Sequence, residues 1–209
     1  MAHKTDRPFF ITFEGIDGCG KTTQLEKAYD YLTASGLTVY KLREPGSTGV
    51  AEKIREILLG KNTISDITEL LLYEAARADL VDTEIKPLLE NGHILLCDRF
   101  YDSTTAYQGY GRKLDIAMVK NLHRVAVGDL TPDLTFLFDL DLKTALTRRG
   151  QNPDRLESQP EAFFERVRQG FLAIARVESD RVKVIDASRS IEAIFEDVKE
   201  QLTQLLGLK

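Results

Sequence analysis

Three groups of residues in this chain have the types and spacing that chemistry needs. The first is Gly15-Ile16-Asp17-Gly18-Cys19-Gly20-Lys21-Thr22, followed by Thr23. It fits the pattern Gly, four residues, Gly, Lys, Ser/Thr, preceded by a β-rich run and followed by a helical one, the context in which such a loop holds a polyphosphate. The glycines let several backbone N–H groups turn inward, and the start of the helix adds its positive dipole end. Lys21 is placed to reach the β and γ phosphates, and the Thr22 hydroxyl to bind Mg²⁺. A ligand-free glycine turn would need neither the Lys-Thr pair nor the flanking elements.

The second group is Asp98-Arg99, after the apolar run Ile94-Leu95-Leu96. Asp98 fits the acidic residue that holds Mg²⁺, directly or through water, in phosphate-loop enzymes. The alternative is an aspartate capping the next helix. Arg99 beside it suggests a second bound anion, with Arg43 and Arg77 as further candidates, because a guanidinium grips phosphate with a planar fork. Taken singly, each arginine would more often be a surface ion pair. The third group is the polar stretch from Leu146 to Glu157, with Arg148, Arg149 and Arg155 around Gly150 and Pro153. It suits a lid, about residues 146–158, closing over a transferring phosphate, although a solvated charged loop has the same composition.

The elements that must position these groups read as strands alternating with helices. Strands are expected over Phe9 to Glu14, Leu37 to Leu42, His93 to Cys97, Leu134 to Leu140 and Val182 to Ile185. Helices are expected over Lys21 to Ala34, closed by Gly36, and over Val50 to Leu59, capped by Thr48. Asp66 with Glu69 resembles a capping box opening a long helix to about Leu89, bent near Pro87. Further helices fall at Ser103 to Gln108, Ile116 to Val127, Lys143 to Arg149, from about Pro160 to Val177 with Ser158 and Glu161 as a second capping box, and Ile191 to Leu206. This alternation argues an α/β fold, a five-stranded parallel sheet with helices on both faces. Ligands of such sheets bind beyond the carboxyl ends of the strands, where the phosphate loop, Arg43 and Asp98-Arg99 all fall. The 209 residues suit one domain.

Composition excludes several classes. Apolar residues make up 43% and charged residues 29%, and the formal net charge is −5. That balance argues against non-specific nucleic-acid binding. The two cysteines suggest neither a disulfide framework nor a zinc site and fit a reducing, cytoplasmic setting. Met1 to Pro8 is polar, unlike a secretory signal, and no apolar run is long enough to cross a bilayer. No Ser-His-Asp set is legible, and His3, His93 and His123 read as structural. The pieces describe a kinase whose acceptor is itself an anion, since a phosphate monoester needs positioning and charge neutralisation rather than a general base.

Several segments together resemble the thymidylate kinase family: Phe13-Glu14-Gly15 with the loop, Arg43-Glu44-Pro45-Gly46, Ala75-Ala76-Arg77-Ala78, and Asp98-Arg99-Phe100-Tyr101-Asp102-Ser103-Thr104-Thr105-Ala106-Tyr107-Gln108. The resemblance runs from residue 9 to the last helix. It implies the three-layer phosphate-loop nucleoside monophosphate kinase fold and transfer of the ATP γ-phosphate to dTMP, with Mg²⁺, in dTTP synthesis, by a cytoplasmic homodimer. By this similarity Arg99 and Arg43 serve the acceptor phosphate, Asp17 lies near the acceptor's sugar and phosphate, Tyr73 stacks on thymine, and Arg77 bonds its O4. Tyr107 crowds the 2′ position, and Ser103, Thr104 and Gln108 line the base pocket. The phosphate loop carries no arginine while the lid does, as in the bacterial type, so Arg149 or Arg155 is expected to meet transition-state charge; with Lys21, Arg99 and Asp17 they make up the catalytic set that the resemblance implies. Cys19 stands where Ala or Ser is usual, and Ser47 where a second Gly often follows Pro-Gly. The nearest rivals are another nucleotide kinase, acting on dUMP, dCMP or a purine monophosphate, a GTPase-type switch, and a nucleotide-binding regulatory module.

Overall fold

The computed structural model describes residues 7–61, 63–148 and 154–208. Strand β1 (Phe9–Glu14) is buried at every position, as befits the middle of a parallel sheet covered on both sides. Its alternate side chains serve two layers. Phe9, Ile11 and Phe13 join a core with α1 (Lys21–Ala34), whereas Phe10 meets Leu95, Cys97 and Phe100 on the other face. Thr12, buried in the same strand, satisfies its hydroxyl against Thr135 at 2.7 Å.

The five strands β1, β2 (Val39–Arg43), β3 (Ile94–Asp98), β4 (Leu134–Asp139) and β5 (Val182–Asp186) lie in the order β2-β3-β1-β4-β5, and all neighbours are parallel. The expected five-stranded parallel α/β sheet is therefore the fold found. Register aligns the strand ends: Asp98 is level with Phe13 on one side and with Arg43 on the other. The ends of β2, β3 and β1 thus open on one edge, at the point where the order of strands reverses.

The helices between the strands are α2 (Gly49–Leu59), α3 (Asp66–Leu80), α4 (Lys86–Glu90), α5 (Tyr101–Thr104), α6 (Ile116–Val127), α7 (Leu142–Arg148), α8 (Glu161–Val177) and α9 (Ile191–Leu206). Thr48 caps α2 as expected, its side chain accepting from the Ala51 N–H at 3.0 Å. Gly36 takes a positive φ after α1, and the Leu37 N–H turns back to the Leu32 carbonyl. That closure is why β2 begins at Val39 and not at Leu37.

Two capping boxes differ from expectation. Ser65, not Asp66, caps α3, accepting from the Thr68 N–H at 3.1 Å. At α8 the capping residue is Pro160, with no side-chain cap. Ser158 is engaged elsewhere: Asp154 gathers the Leu156 and Glu157 N–H groups, and Ser158 donates to the Asp154 carbonyl at 2.7 Å. The long helix from Asp66 does reach Glu90, but its irregularity is a π-helical turn over Val81–Ile85 rather than a bend at Pro87. The proline ring would crowd the carbonyl four residues back, and a wider turn just before it takes up that ring. A second π segment, Thr105–Gly111, continues α5 and makes the expected 103–108 helix longer and wider.

Candidate active site

The phosphate loop leaves β1 at Gly15. A Cβ there would stand 2.7 Å from the Phe138 carbonyl and 2.8 Å from the Cys19 sulfur, so the close approach of the loop to β4 requires glycine. Buried Cys19 fills the space on the other side of that contact. Gly20, at φ 90°, caps α1 with no side-chain bond, and no acidic residue sits in the first turn. The first N–H groups of α1 are therefore left to an anion.

Arg99 follows β3 in the left-handed region, at φ 73°. For a residue with a Cβ this costs about 1–2 kcal/mol and needs outside support. The Arg99 N–H donates to the Phe13 carbonyl at 3.0 Å, and the Phe100 N–H to Glu14 Oε1 at 2.7 Å. The side chain is fixed as firmly: Nη1 donates to the Gly15 carbonyl and to Ser103 Oγ, both at 2.9 Å, and Nη2 lies 2.5 Å from Asp17 Oδ1. Burial opposes the charge of Arg99, but Asp17, with Tyr107 and Asp98, outweighs it and holds its pKa well above the ordinary guanidinium value. Glu14, fully buried, also accepts from Ser103 Oγ at 2.6 Å. Burial first, and the nearby Asp102 charge second, push its carboxyl up to about 8.

Asp17 is the junction. Its Oδ1 meets Arg99 and, at 3.3 Å, the ammonium of Lys21, and its Oδ2 accepts from the Tyr107 hydroxyl at 3.2 Å. Deeper in the loop, Thr22 Oγ1 donates to Asp98 Oδ2 at 2.7 Å, and Asp98 Oδ1 is buried without a hydrogen-bond partner. A buried, unsatisfied carboxylate oxygen beside a loop hydroxyl fits Mg²⁺, which needs one or two protein oxygens and takes its other ligands from phosphates and water.

Beside the loop lies a cleft of about 570 Å³, its open mouth included, within the usual range for a small-molecule site. Asp17, Tyr73, Arg77, Arg99, Ser103, Thr104, Tyr107 and Gln108 all line it. Residues distributed over the phosphate loop, α3 and the segment after β3 are thus brought to one cavity. At its inner end Arg77 is almost wholly buried. Its Nε and Nη2 donate to Glu44 Oε2 at 2.9 and 2.7 Å, and Nη2 also reaches Thr104 Oγ1 at 2.8 Å. Nη1 lies 2.9 Å from Glu74 Oε1 but is not aligned as a hydrogen bond, leaving donor capacity for a ligand. Burial pushes the Glu44 carboxyl up to about 7 against the pull of Arg77.

Two expected residues are not brought there. Arg43 is half-exposed and paired with Glu52 at 2.8 and 2.9 Å, and it does not line the cleft. Ser47, at φ 70° where glycine is easier, bonds the Arg43 N–H and donates its own N–H to Glu52, which fixes this outward pairing. Arg155 does not line the cleft either: Nη1 is 2.6 Å from Glu69 Oε2 and Nε donates to the Leu58 carbonyl at 3.0 Å. Arg149 lies outside the described residues.

Sequence reasoning missed Arg55, which does line the cleft and donates to the Pro45 carbonyl at 3.0 Å. Burial, and then the like charge of Arg43, hold its pKa below the usual guanidinium value. Helical spacing carried the signal: Arg55 stands four residues after Ala51 and three before Leu58, both buried. Glu44 and Asp154 also line the cleft.

A phosphate loop at the switch point of a parallel sheet, with an arginine-lined cleft beside it, defines a nucleoside monophosphate kinase, a phosphotransferase. The family model for thymidylate kinase matches residues 13–198. A thymidylate kinase of Dehalococcoides mccartyi is 48% identical over 203 residues, 96% of this chain and 98% of that one. One from a Sulfurihydrogenibium species is 46% identical over 198 residues, 94% and 97% of the two chains. The crystal structure of thymidylate kinase from Ehrlichia chaffeensis superposes with a TM-score of 0.78 at 36% identity, covering 94% of this chain and 99% of the other. The chain belongs to the thymidylate kinase family. No helix among the described residues is long and apolar enough to cross a membrane.

Proposed function

We infer that this chain transfers the γ-phosphoryl group of ATP to dTMP, giving ADP and dTDP on the way to dTTP. The observation that carries the reading is Asp17, whose one carboxylate touches Lys21 of the donor loop and Arg99 of the acceptor cleft. The two phosphates would therefore meet where these cations already stand. Backbone N–H groups of residues 15–22 hold the β and γ phosphates of ATP, and Lys21 reaches their oxygens. Thr22 and Asp98 would hold Mg²⁺, which when bound neutralises charge on the β and γ phosphates. Arg99 and Arg55 grip the acceptor phosphate, Tyr73 covers the base, and Arg77 donates to O4.

A phosphate-monoester oxygen of dTMP attacks the γ-phosphorus. The new P–O bond forms as the bond to the β,γ-bridging oxygen breaks, and that electron pair leaves with ADP. With a second pKa near 6, the acceptor phosphate is largely a dianion at neutral pH and needs no base. That agrees with buried His123 being held between Glu74 and Thr105, neither of which lines the cleft.

Pairing of two copies belongs to the same reading. Val50 and Ile57 on α2 and Ile67 and Leu71 on α3 are exposed, and a second copy would cover them. A cytoplasmic location accords with the acidic composition and two free thiols. The test is nucleotide-dependent ADP release with dTMP, dUMP, dCMP and AMP as acceptors. Release should be fastest with dTMP, and equal rates with dTMP and AMP would overturn the assignment.

A further inference from the structure

Glu69 does not line the cleft, yet it is the most heavily bonded carboxylate behind it. It is fully buried on α3. Its Oε1 accepts from Gln108 Nε2 at 2.7 Å and Arg112 Nε at 3.1 Å, and its Oε2 from Arg112 Nη2 at 3.0 Å and Arg155 Nη1 at 2.6 Å. Burial works against its charge, but the bonds from Arg112, Gln108 and Arg155 hold its carboxyl below the ordinary range. An ionised carboxylate only accepts. The amide of Gln108 must then give its NH₂ end to Glu69, because the reversed amide would press two acceptors together at hydrogen-bond distance. Gln108 lines the cleft, and no described residue donates to its Oε1. What it offers a ligand is therefore a carbonyl acceptor of fixed polarity.

We propose that Glu69 is a specificity-determining positioning residue: by locking the Gln108 amide it makes the cleft select a base whose ring nitrogen is a donor, the N3–H of a 2,4-dioxopyrimidine, and reject cytosine, whose N3 accepts. This rests on the dTMP kinase reading above. The 5-methyl group and the O4 met by Arg77 also separate thymine from cytosine. At N3 the separation comes from a buried acceptor left facing another acceptor.

The test is the ratio of kcat/KM for dTMP to that for dCMP in the parent and in three variants. Glu69→Gln removes the acceptor-only partner and frees the amide to turn. It should narrow the ratio by about tenfold, the worth of one buried hydrogen bond, through KM for dTMP with kcat within about twofold of parent. Glu69→Asp keeps the charge for the arginines but draws the acceptor away from Gln108, and should narrow the ratio by about threefold. Arg112→Gln removes one partner of this buried pair, which costs stability, but leaves Arg155 and Gln108 on Glu69, so the ratio should stay within about twofold of parent. Where Glu69→Gln fails to fold, Glu69→Asp carries the test. An unchanged ratio in whichever variant folds, or equal narrowing by Arg112→Gln, would overturn the proposal. The parent rates report separately on the underlying assignment: a parent with no preference for dTMP refutes that assignment, and narrowing confined to the variants supports the role of Glu69.

Discussion

Asp17 and Arg99 meet at 2.5 Å, and the same Asp17 oxygen stands 3.3 Å from Lys21. One loop carboxylate thus occupies, without substrate, the two cations that the phosphates would take. It ties the two charges together before substrate arrives, so that on the proposed reading the phosphates would enter a site already assembled, with Asp17 still joining its cations.

Arg99→Ala should weaken dTMP binding by about 10–100-fold, the loss of a charge-assisted hydrogen bond of about 1.5–3 kcal/mol, with ATP affinity changed little. Calorimetric titration with each nucleotide checks this. An unaltered dTMP affinity removes Arg99 from the acceptor site.

Asp17→Asn should lower kcat on the order of 10²-fold, because the cations lose their common tether. The KM for dTMP should not rise, since the competing internal anion has been neutralised. Steady-state kinetics separates the two constants, and a raised KM with unchanged kcat would contradict the bridging role.

Arg55 and Arg43 make a matched pair of tests. Arg55→Ala should raise the KM for dTMP about tenfold or more, as its guanidinium lines the cleft. Arg43→Ala should change it less than about fivefold, because its exposed pairing with Glu52 contributes little. The opposite order would mean that Arg43 leaves Glu52 for substrate.

Glu14 and Glu44 give stability a pH dependence of defined sign. Burial raises their carboxyls to about 8 and about 7, so the folded chain holds protons that the unfolded chain has released. That stabilisation is complete below their ordinary values and is lost as pH rises through 7 to 8. Glu69 and Glu74, held below the ordinary range, act oppositely and only in acid. The thermal midpoint should fall by a few °C per pH unit near pH 7–8, less steeply in Glu14→Gln. Parallel slopes for the two proteins would exclude Glu14 as the group.

Most of the scaffold is legible in the sequence, because alternation of apolar strands with 3.6-residue periods is set by local physics. The boundaries of α6 and α9 fall where their periodicity ends. The capping residues of α3 and α8 escape it for a nonlocal or competing reason: Ser65 and Asp66 are chemically equivalent candidates, and Asp154 recruits Ser158 first. The cleft residues Tyr73, Arg77, Ser103, Thr104, Tyr107 and Gln108 are reached through family resemblance, since an aromatic or an arginine on a helix carries no local mark of function. Arg43 and Arg55 show the limit most plainly. Both lie near the end of β2, and only the Ser47 turn and the face of α2 decide which one points inward.

The most direct test is a crystal structure of the chain with dTMP and a non-hydrolysable ATP analogue bound together. The account predicts the dTMP phosphate on the Arg99 guanidinium, in line with the terminal phosphate held by Lys21. A dTMP phosphate lying away from both side chains would contradict it.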